Sequence, residues 1–299
     1  MKISEEQLKR WSTAPGTTRA EAVYSAAKAA LESNLIFSGK KIEIYLQGSY
    51  GNHTNIRTDS DVDIVVQLNS VWRRDISRLT PQEQSEYIAS VSTSSYGIDN
   101  FRQDVLSALI KYFGSNYVNA MGNKSIKLIG TDSRLHADIV PALQHRIYTS
   151  FVEIDIPTFV EGIKFKAKDG TEIENFPKLH LQNGEEKNLD DFAGEHYKHL
   201  VRVMKNIKRQ LVDDNIIEKE LAPSYFIECL LYNVPHPHFS SNYQESLKTI
   251  LRFLQQECNA DALRTGNNIH FIFGDKPWQW SSKKNAALFL SHASDFLGI

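Results

Sequence analysis

Hydrophobic positions mix segments of period two with segments of period three to four in the first half of the chain, and recur every three to four residues in most of the second. Residues 42–47, Ile-Glu-Ile-Tyr-Leu-Gln, and 61–67, Asp-Val-Asp-Ile-Val-Val-Gln, alternate as short strands. Tyr117-Val118, 125–130 and 135–142 predict further strands. Residues 4–12 predict a helix opened by Ser4, and in 18–34 Ala20, Val23, Ala27, Ala30 and Leu31 share one helical face. Residues 81–91 and 98–113 also read as helices, 150–170 as extended and loop-rich, and 175–180 as a returning strand or loop. A polar connection at 183–192 ends this half. Beyond it, 192–213 carries the stripe Tyr197, Leu200, Val201, Met204, Ile207 and Leu211, and 223–233, 241–258 and 281–297 are helical in pattern. The fold class predicted is α+β: a mixed-sheet lobe over 1–185 and a helical lobe over 186–299, with a cleft between them where a ligand commonly lies.

The 299 residues carry a net charge of −2, so nothing draws the whole molecule to nucleic acid or to an anionic membrane. No stable binding to either is expected. The two cysteines, Cys229 and Cys258, have no metal-ligand spacing and read as reduced thiols. The amino-terminal residues lack the apolar core of a signal peptide, and no stretch has the length of a membrane span. A cytoplasmic monomer is expected.

Candidate chemistry sits between the two strands. Gln47 ends the first, Gly48 lets the backbone approach a phosphate closely, and Ser49 offers a hydroxyl and an amide at the start of a short helical turn. Asp61 and Asp63 share one face of the second strand, while Val62, Ile64 and Val66 point into the core. Paired carboxylates repel, and a divalent cation relieves the repulsion. Hard oxygen ligands favour magnesium, with manganese as the alternative. Asp59 competes as a ligand but lies in the polar run 57–60. Asp138 is a lone acid on an apolar strand, a costly arrangement without a partner. A metal would provide that partner, as would a nearby Arg or Lys.

In the second half, Arg202, Lys205, Lys208 and Arg209 read mostly as a solvated basic face. Lys205, beside the apolar stripe, is the candidate to reach a triphosphate. Ser224 and Tyr225 open the next helix, where amides attract phosphate and an aromatic ring can stack on a base.

Three blocks carry a more specific signal: Tyr45 to Ser70, Asn175-Phe-Pro-Lys-Leu-His180, and Leu221 to Pro235. With them the chain resembles the cGAS/DncV-like nucleotidyltransferases of the DNA polymerase β superfamily, in particular clade E. The resemblance implies a polymerase-β-like lobe with a spine helix over 18–34 and a helical lobe closing the nucleotide cleft. It implies that Asp61, Asp63 and Asp138 hold two magnesium ions, that Ser49, Lys205 and Ser224 contact phosphates, and that a cyclic dinucleotide messenger is made from nucleoside triphosphates. It implies further that the product activates a separate effector protein in antiphage defence. Asn175 falls where the cyclic UMP–AMP type carries a uracil-favouring asparagine, which points to UTP and ATP as substrates. An amide offers the donor and acceptor that match uracil's edge, although the same residue can simply stabilise the turn before Pro177. The acids alone leave open a template-free nucleotidyltransferase acting on tRNA, a small molecule or a protein. A non-catalytic nucleotide sensor is disfavoured, because three unliganded acids would burden stability.

Overall fold

The structure is a computed structural model and describes residues 1–151, 157–189 and 194–299. In chain order its main elements begin with α1 (Glu5–Ser12), α2 (Thr18–Glu32), β1 (Ile42–Leu46), α3 (Gly48–Gly51), β2 (Val62–Asp75), α4 (Pro81–Ser90) and α5 (Ile98–Phe113). There follow β3 (Val118–Asn119), β4 (Ile126–Leu128), β5 (Ala137–Phe151), β6 (Pro157–Lys166) and β7 (Glu172–Asn175). The remainder is helical: α6 (Pro177–Leu189), α7 (His196–Asp213), α8 (Ser224–Tyr232), α9 (Tyr243–Arg252) and α10 (Lys283–Leu297).

These elements form two compact units. One comprises 17–48 and 59–178, the other 1–16, 49–58 and 179–299. A single boundary at 185/186 was the expectation; the structure divides the chain otherwise. Helix α1 packs on α7 and α9, and its Leu8 is wholly buried in the helical core. Burying one leucine contributes about 1.5–3 kcal/mol, which explains why the amino-terminal segment joins the helical unit. The predicted spine, α2, belongs to the sheet unit and lies against α5 and β2.

The sheet runs β1-β2-β5-β4-β3, with β6 on β5 and β7 on β6. Strands β2 and β5 are parallel, and the other pairs are antiparallel. A parallel pair needs a long crossover, which α4 and α5 supply. Strand β2 extends well past the predicted 61–67, and all of Ile64–Leu68 is buried, as befits a strand covered on both faces. Within the expected loop over 150–170, residues 157–166 are strand, because β6 pairs with β5; 152–156 lie outside the described residues. The expected polar connection is helix as far as Leu189, and its last residues, 190–192, also lie outside them.

In the helical unit, α7 buries the predicted stripe together with residues on its other sides. The expected solvated basic face is therefore corrected. Lys198, Arg202, Lys205 and Lys208 are all buried: α1 and the 49–58 segment cover Arg202 and Lys205, and Lys198 pairs with Glu185 of α6. Arg202 donates to the carbonyls of Ser12 and His53, and Asn206 to that of Trp11. Cys229 and Cys258 are free thiols. Among the described residues no helix is long and apolar enough to cross a membrane.

Candidate active site

Strand register brings the predicted acids together. Asp63 and Asp138 are direct neighbours across the parallel β2–β5 pair. Asp61 precedes β2, where the Val62 amide bonds the His136 carbonyl at 3.0 Å. Burial first, then the charges of Asp138 and Asp61, push the Asp63 carboxyl up to about 6. Gly48 abuts this group. Its φ is +63°, and a Cβ there would stand 2.5 Å from Asp63 Oδ2. The Gln47 amide donates to the Asp63 carbonyl at 2.9 Å, while Gln47 Oε1 is buried with no hydrogen-bond partner. That orphaned oxygen suits a bound donor.

Two polar neighbours of the acids are absent from the sequence reading. Lys127 pairs across β4–β5 with Asp138, and its Nζ lies 2.8 Å from Asp61 Oδ2. Ser125 Oγ donates to Asp138 Oδ1 at 2.8 Å. The Lys127 ammonium stands beside the acids, and the hydrogen bond it donates to Asp61 holds it in its charged form. Alternation of buried Ile126 and Leu128 around Lys127 was the available signal, but only sheet order shows that β4 lies beside β5. Among the described residues no three Asp, Glu, His or Cys side chains form a ready-made metal cage. The donor set fits a hard cation all the same: carboxylate oxygens, one hydroxyl, and mutual repulsion that an ion would relieve.

Asn175 ends β7 opposite Ile163, which lies opposite Gln144 on β5. Alternation places Asn175 on the sheet face that carries Asp63 and Asp138. Its Oδ1 accepts the Phe176 amide at 2.9 Å, so the turn-stabilising role holds for half of the side chain. The same face carries a network that sequence reasoning missed. Lys178 Nζ lies 2.6 Å from both Glu43 and Glu161. Gln67 and Gln144 donate to Glu161 at 3.0 and 2.8 Å, and the Tyr45 hydroxyl donates to Gln67 at 2.7 Å. Burial would raise the Glu161 carboxyl, but Lys178 and the two amides hold it below its ordinary value.

In the helical unit, Ser49 lies in the one-turn helix α3, and its carbonyl accepts the Thr54 amide at 2.9 Å. Ser224 and Tyr225 are the first residues of α8. The Tyr225 ring, 36% exposed, lies 5.3 Å from the ring of His180. Burial of its hydroxyl end, next to Cys229 and Thr265, raises the phenol well above its ordinary value. The ring thus keeps an open edge while its polar tip is anchored. Lys205, the candidate to reach a triphosphate, lies on α7 within the helical unit. It is 5% exposed, and its Nζ contacts Glu228 Oε2 at 2.9 Å and Thr54 Oγ1 at 2.7 Å. Glu228, unremarked in the sequence, is what holds it there.

A family model for the cGAS/DncV-like nucleotidyltransferase C-terminal helical domain matches residues 182–298. The chain is 37% identical over 296 residues to a cyclic UMP-AMP synthase from Rhodothermus marinus, covering 99% of this chain and 98% of that protein. It is 32% identical to a cyclic dipurine nucleotide synthase from Elizabethkingia meningoseptica, over 100% of this chain and 99% of that one. The solved structure of the Rhodothermus marinus c-UMP-AMP synthase with Apcpp and Upnpp superposes with a TM-score of 0.89 at 36% identity, covering 99% of this chain and 97% of that one. The acids adjoining on β2 and β5, the mixed sheet around them and these end-to-end likenesses lead to one conclusion: the chain belongs to the cGAS/DncV-like nucleotidyltransferases and has their polymerase-β-like fold.

Proposed function

We propose that this chain joins nucleoside triphosphates into a cyclic dinucleotide, releasing pyrophosphate, and that uridine is one of its building blocks, as in cyclic UMP–AMP. The observation that carries this reading is the Asp63–Asp138 register pair, with the Asp63 carboxyl raised by burial and then by its acid neighbours. Asp61, Asp63 and Asp138 would hold magnesium. When bound, the metal lowers the pKa of an attacking hydroxyl and neutralises the triphosphate and its leaving group. The protein's own groups do the rest. Gly48 leaves room beside Asp63 for a close approach of phosphate. Ser49 presents its amide and hydroxyl to the triphosphate, and Gln47 Oε1 accepts a hydrogen bond from the nucleotide. Ser224 is assigned a second phosphate contact, and the open edge of Tyr225 a base. Asn175, with Oδ1 committed to Phe176, keeps its amide N–H donors for a uracil carbonyl.

Uridine incorporation is supported by Asn175 and by the likeness to a cyclic UMP-AMP synthase. A relative of similar identity is a dipurine synthase, so base choice rests on few residues. The product is read as a messenger that switches on a separate effector in antiphage defence, and the enzyme as a cytoplasmic monomer.

The test is direct. The protein is incubated with magnesium and the four ribonucleoside triphosphates, treated with phosphatase and analysed by mass spectrometry. A phosphatase-resistant product with two phosphodiesters and a uridine is expected, and it disappears in Asp61→Asn/Asp63→Asn. Only linear, phosphatase-sensitive products would overturn cyclisation, and a purine-only product would overturn the role of Asn175. Full turnover in the double variant would remove the metal assignment.

A further inference from the structure

On β2 the acid-bearing face of the sheet continues from Asp63 to Gln67, and on β5 from Asp138 to Gln144. Glu161 and Ile163 carry that face onto β6, and Asn175 onto β7. Gln67 stands four residues beyond Asp63, about 13 Å along the strand. A nucleoside with its sugar hydroxyl at the acids would turn the edge of its base towards this polar end.

Most of the polar groups there already have partners. Gln67 gives its N–H groups to Asn69 and Glu161 at 2.7 and 3.0 Å, and its oxygen accepts the Tyr45 hydroxyl at 2.7 Å. Gln144 donates to Glu161 and accepts from Arg146 at 2.7 Å. Lys178 differs. Its ammonium carries three N–H groups and no acceptor. Among the described residues two of them meet carboxylates, Glu43 and Glu161, both at 2.6 Å. One donor remains, on a side chain that is 36% exposed. The two carboxylates fix where the ammonium sits, and the Tyr45 ring lies 5.1 Å from it. Ile163, the register partner of Asn175, is two residues from Glu161. Asn175 and the Lys178 ammonium therefore occupy neighbouring places on one face, a step of about 7 Å along the strand. With its Oδ1 accepting the Phe176 amide, Asn175 also has N–H groups to offer.

We propose that Lys178 and Asn175 hold the two carbonyls of uracil between them, which makes Lys178 a specificity-determining residue that separates uridine from cytidine. This rests on the reading that Asn175 meets the base of a nucleotide substrate. Uracil has a carbonyl at each end of its pairing edge. Cytosine and guanine have a carbonyl at one end and an amino group at the other, and adenine has an amino group and no carbonyl. Whichever way cytosine is turned, one of the two donors faces the amino group and is left unpaired. A lysine, having no acceptor, cannot adapt to that group.

The experiment measures binding of non-hydrolysable UTP and CTP analogues by calorimetry, with magnesium and a saturating non-hydrolysable ATP analogue present. Wild type is compared with Lys178→Arg and Lys178→Gln, and the products each makes from ATP with mixed UTP and CTP are identified by mass spectrometry. Wild type is expected to prefer the uridine analogue by at least about tenfold, the effect of one unpaired donor. Lys178→Arg, still a pure donor, is expected to keep most of that preference. Lys178→Gln offers an acceptor as well, and is expected to bring the preference within about threefold and to admit cytidine to the product. Equal binding of the two analogues by wild type would overturn the proposal, as would a wild-type preference that survives Lys178→Gln. If neither analogue binds, the nucleotide reading falls and this inference with it. If the preference depends on Lys178 but wild type forms only linear products, cyclisation falls and the base reading stands.

Discussion

Asp63 is a partly buried carboxylate and Glu228 a fully buried one, and their surroundings push them in opposite directions. For Asp63, burial and the two acids beside it put the folded value near 6, above the ordinary 3.8. A raised value favours the protonated form, so this group's contribution to stability is present at low pH and lost as pH rises through about 6. At pH 8 the ionised carboxylate burdens the ligand-free protein by up to ~3 kcal/mol. Asp63→Asn is therefore expected to stabilise the metal-free protein at pH 8 while abolishing turnover. The gain should shrink as pH falls from 6 towards 4, and urea melts at several pH values measure it. Magnesium should raise the melting temperature of wild type more than that of the variant. Glu228 has the other sign. Burial alone would raise it, but Lys205 and His180 hold it well below the ordinary 4.5. Its contribution is present above that value and is lost only in acid.

At the scale of elements, hairpin β6–β7 carries the base-reading candidate, and its packing leaves no slack. Gly162 pairs with His145 of β5, and a Cβ on it would stand 2.6 Å from the Phe176 ring and 2.8 Å from the Asn175 carbonyl. Both atoms belong to the turn that aims Asn175, and Phe176 is fully buried, so the clash cannot relax into solvent. Gly162→Ala is expected to leave the acids in register but to displace Asn175. The share of uridine in the product should fall several-fold while total pyrophosphate release falls less. Product analysis by mass spectrometry alongside a pyrophosphate assay separates the two effects. The elements themselves were mostly legible from the chain. Helix α2 and the acid-bearing strands follow the 3.6- and 2-residue periods that face burial imposes. Strand β6 was not legible, because its polar and apolar residues become a strand through pairing with β5 rather than through their own pattern.

Across the whole molecule, the two units are interleaved in sequence. The helical unit takes its carboxy-terminal helices, the amino-terminal α1 and the 49–58 excursion from within the sheet unit's chain. A fragment of 186–299 would lack Leu8 in its core, and it would strip Thr54 and His180 from the buried Glu228 and Lys205. Uncovered apolar surface and an ion pair short of its partners both destabilise. Such a fragment is expected to show no cooperative urea transition and to bind a hydrophobic dye, whereas the full chain unfolds cooperatively. Circular dichroism and dye fluorescence on the two proteins provide the check.

Local periodicity was enough to place Asp63 and Asp138 on strands, with Asp61 just before one, and to set their side chains apart from the apolar faces, because a strand's alternation is a property of its own backbone. It likewise placed the Gly48-Ser49 turn and the apolar stripe of α7. Distances along the chain, however, carry no record of which strand lies beside which. Sheet order alone brought Lys127 to Asp61 and Asn175 onto the acid-bearing face. Nor can a helix's own sequence say whether a second layer will cover its polar side. The folding of α1 and residues 49–58 over α7 turned Lys205 from a free cation into the partner of Glu228, since a charge taken out of water must find its counter-charge within reach.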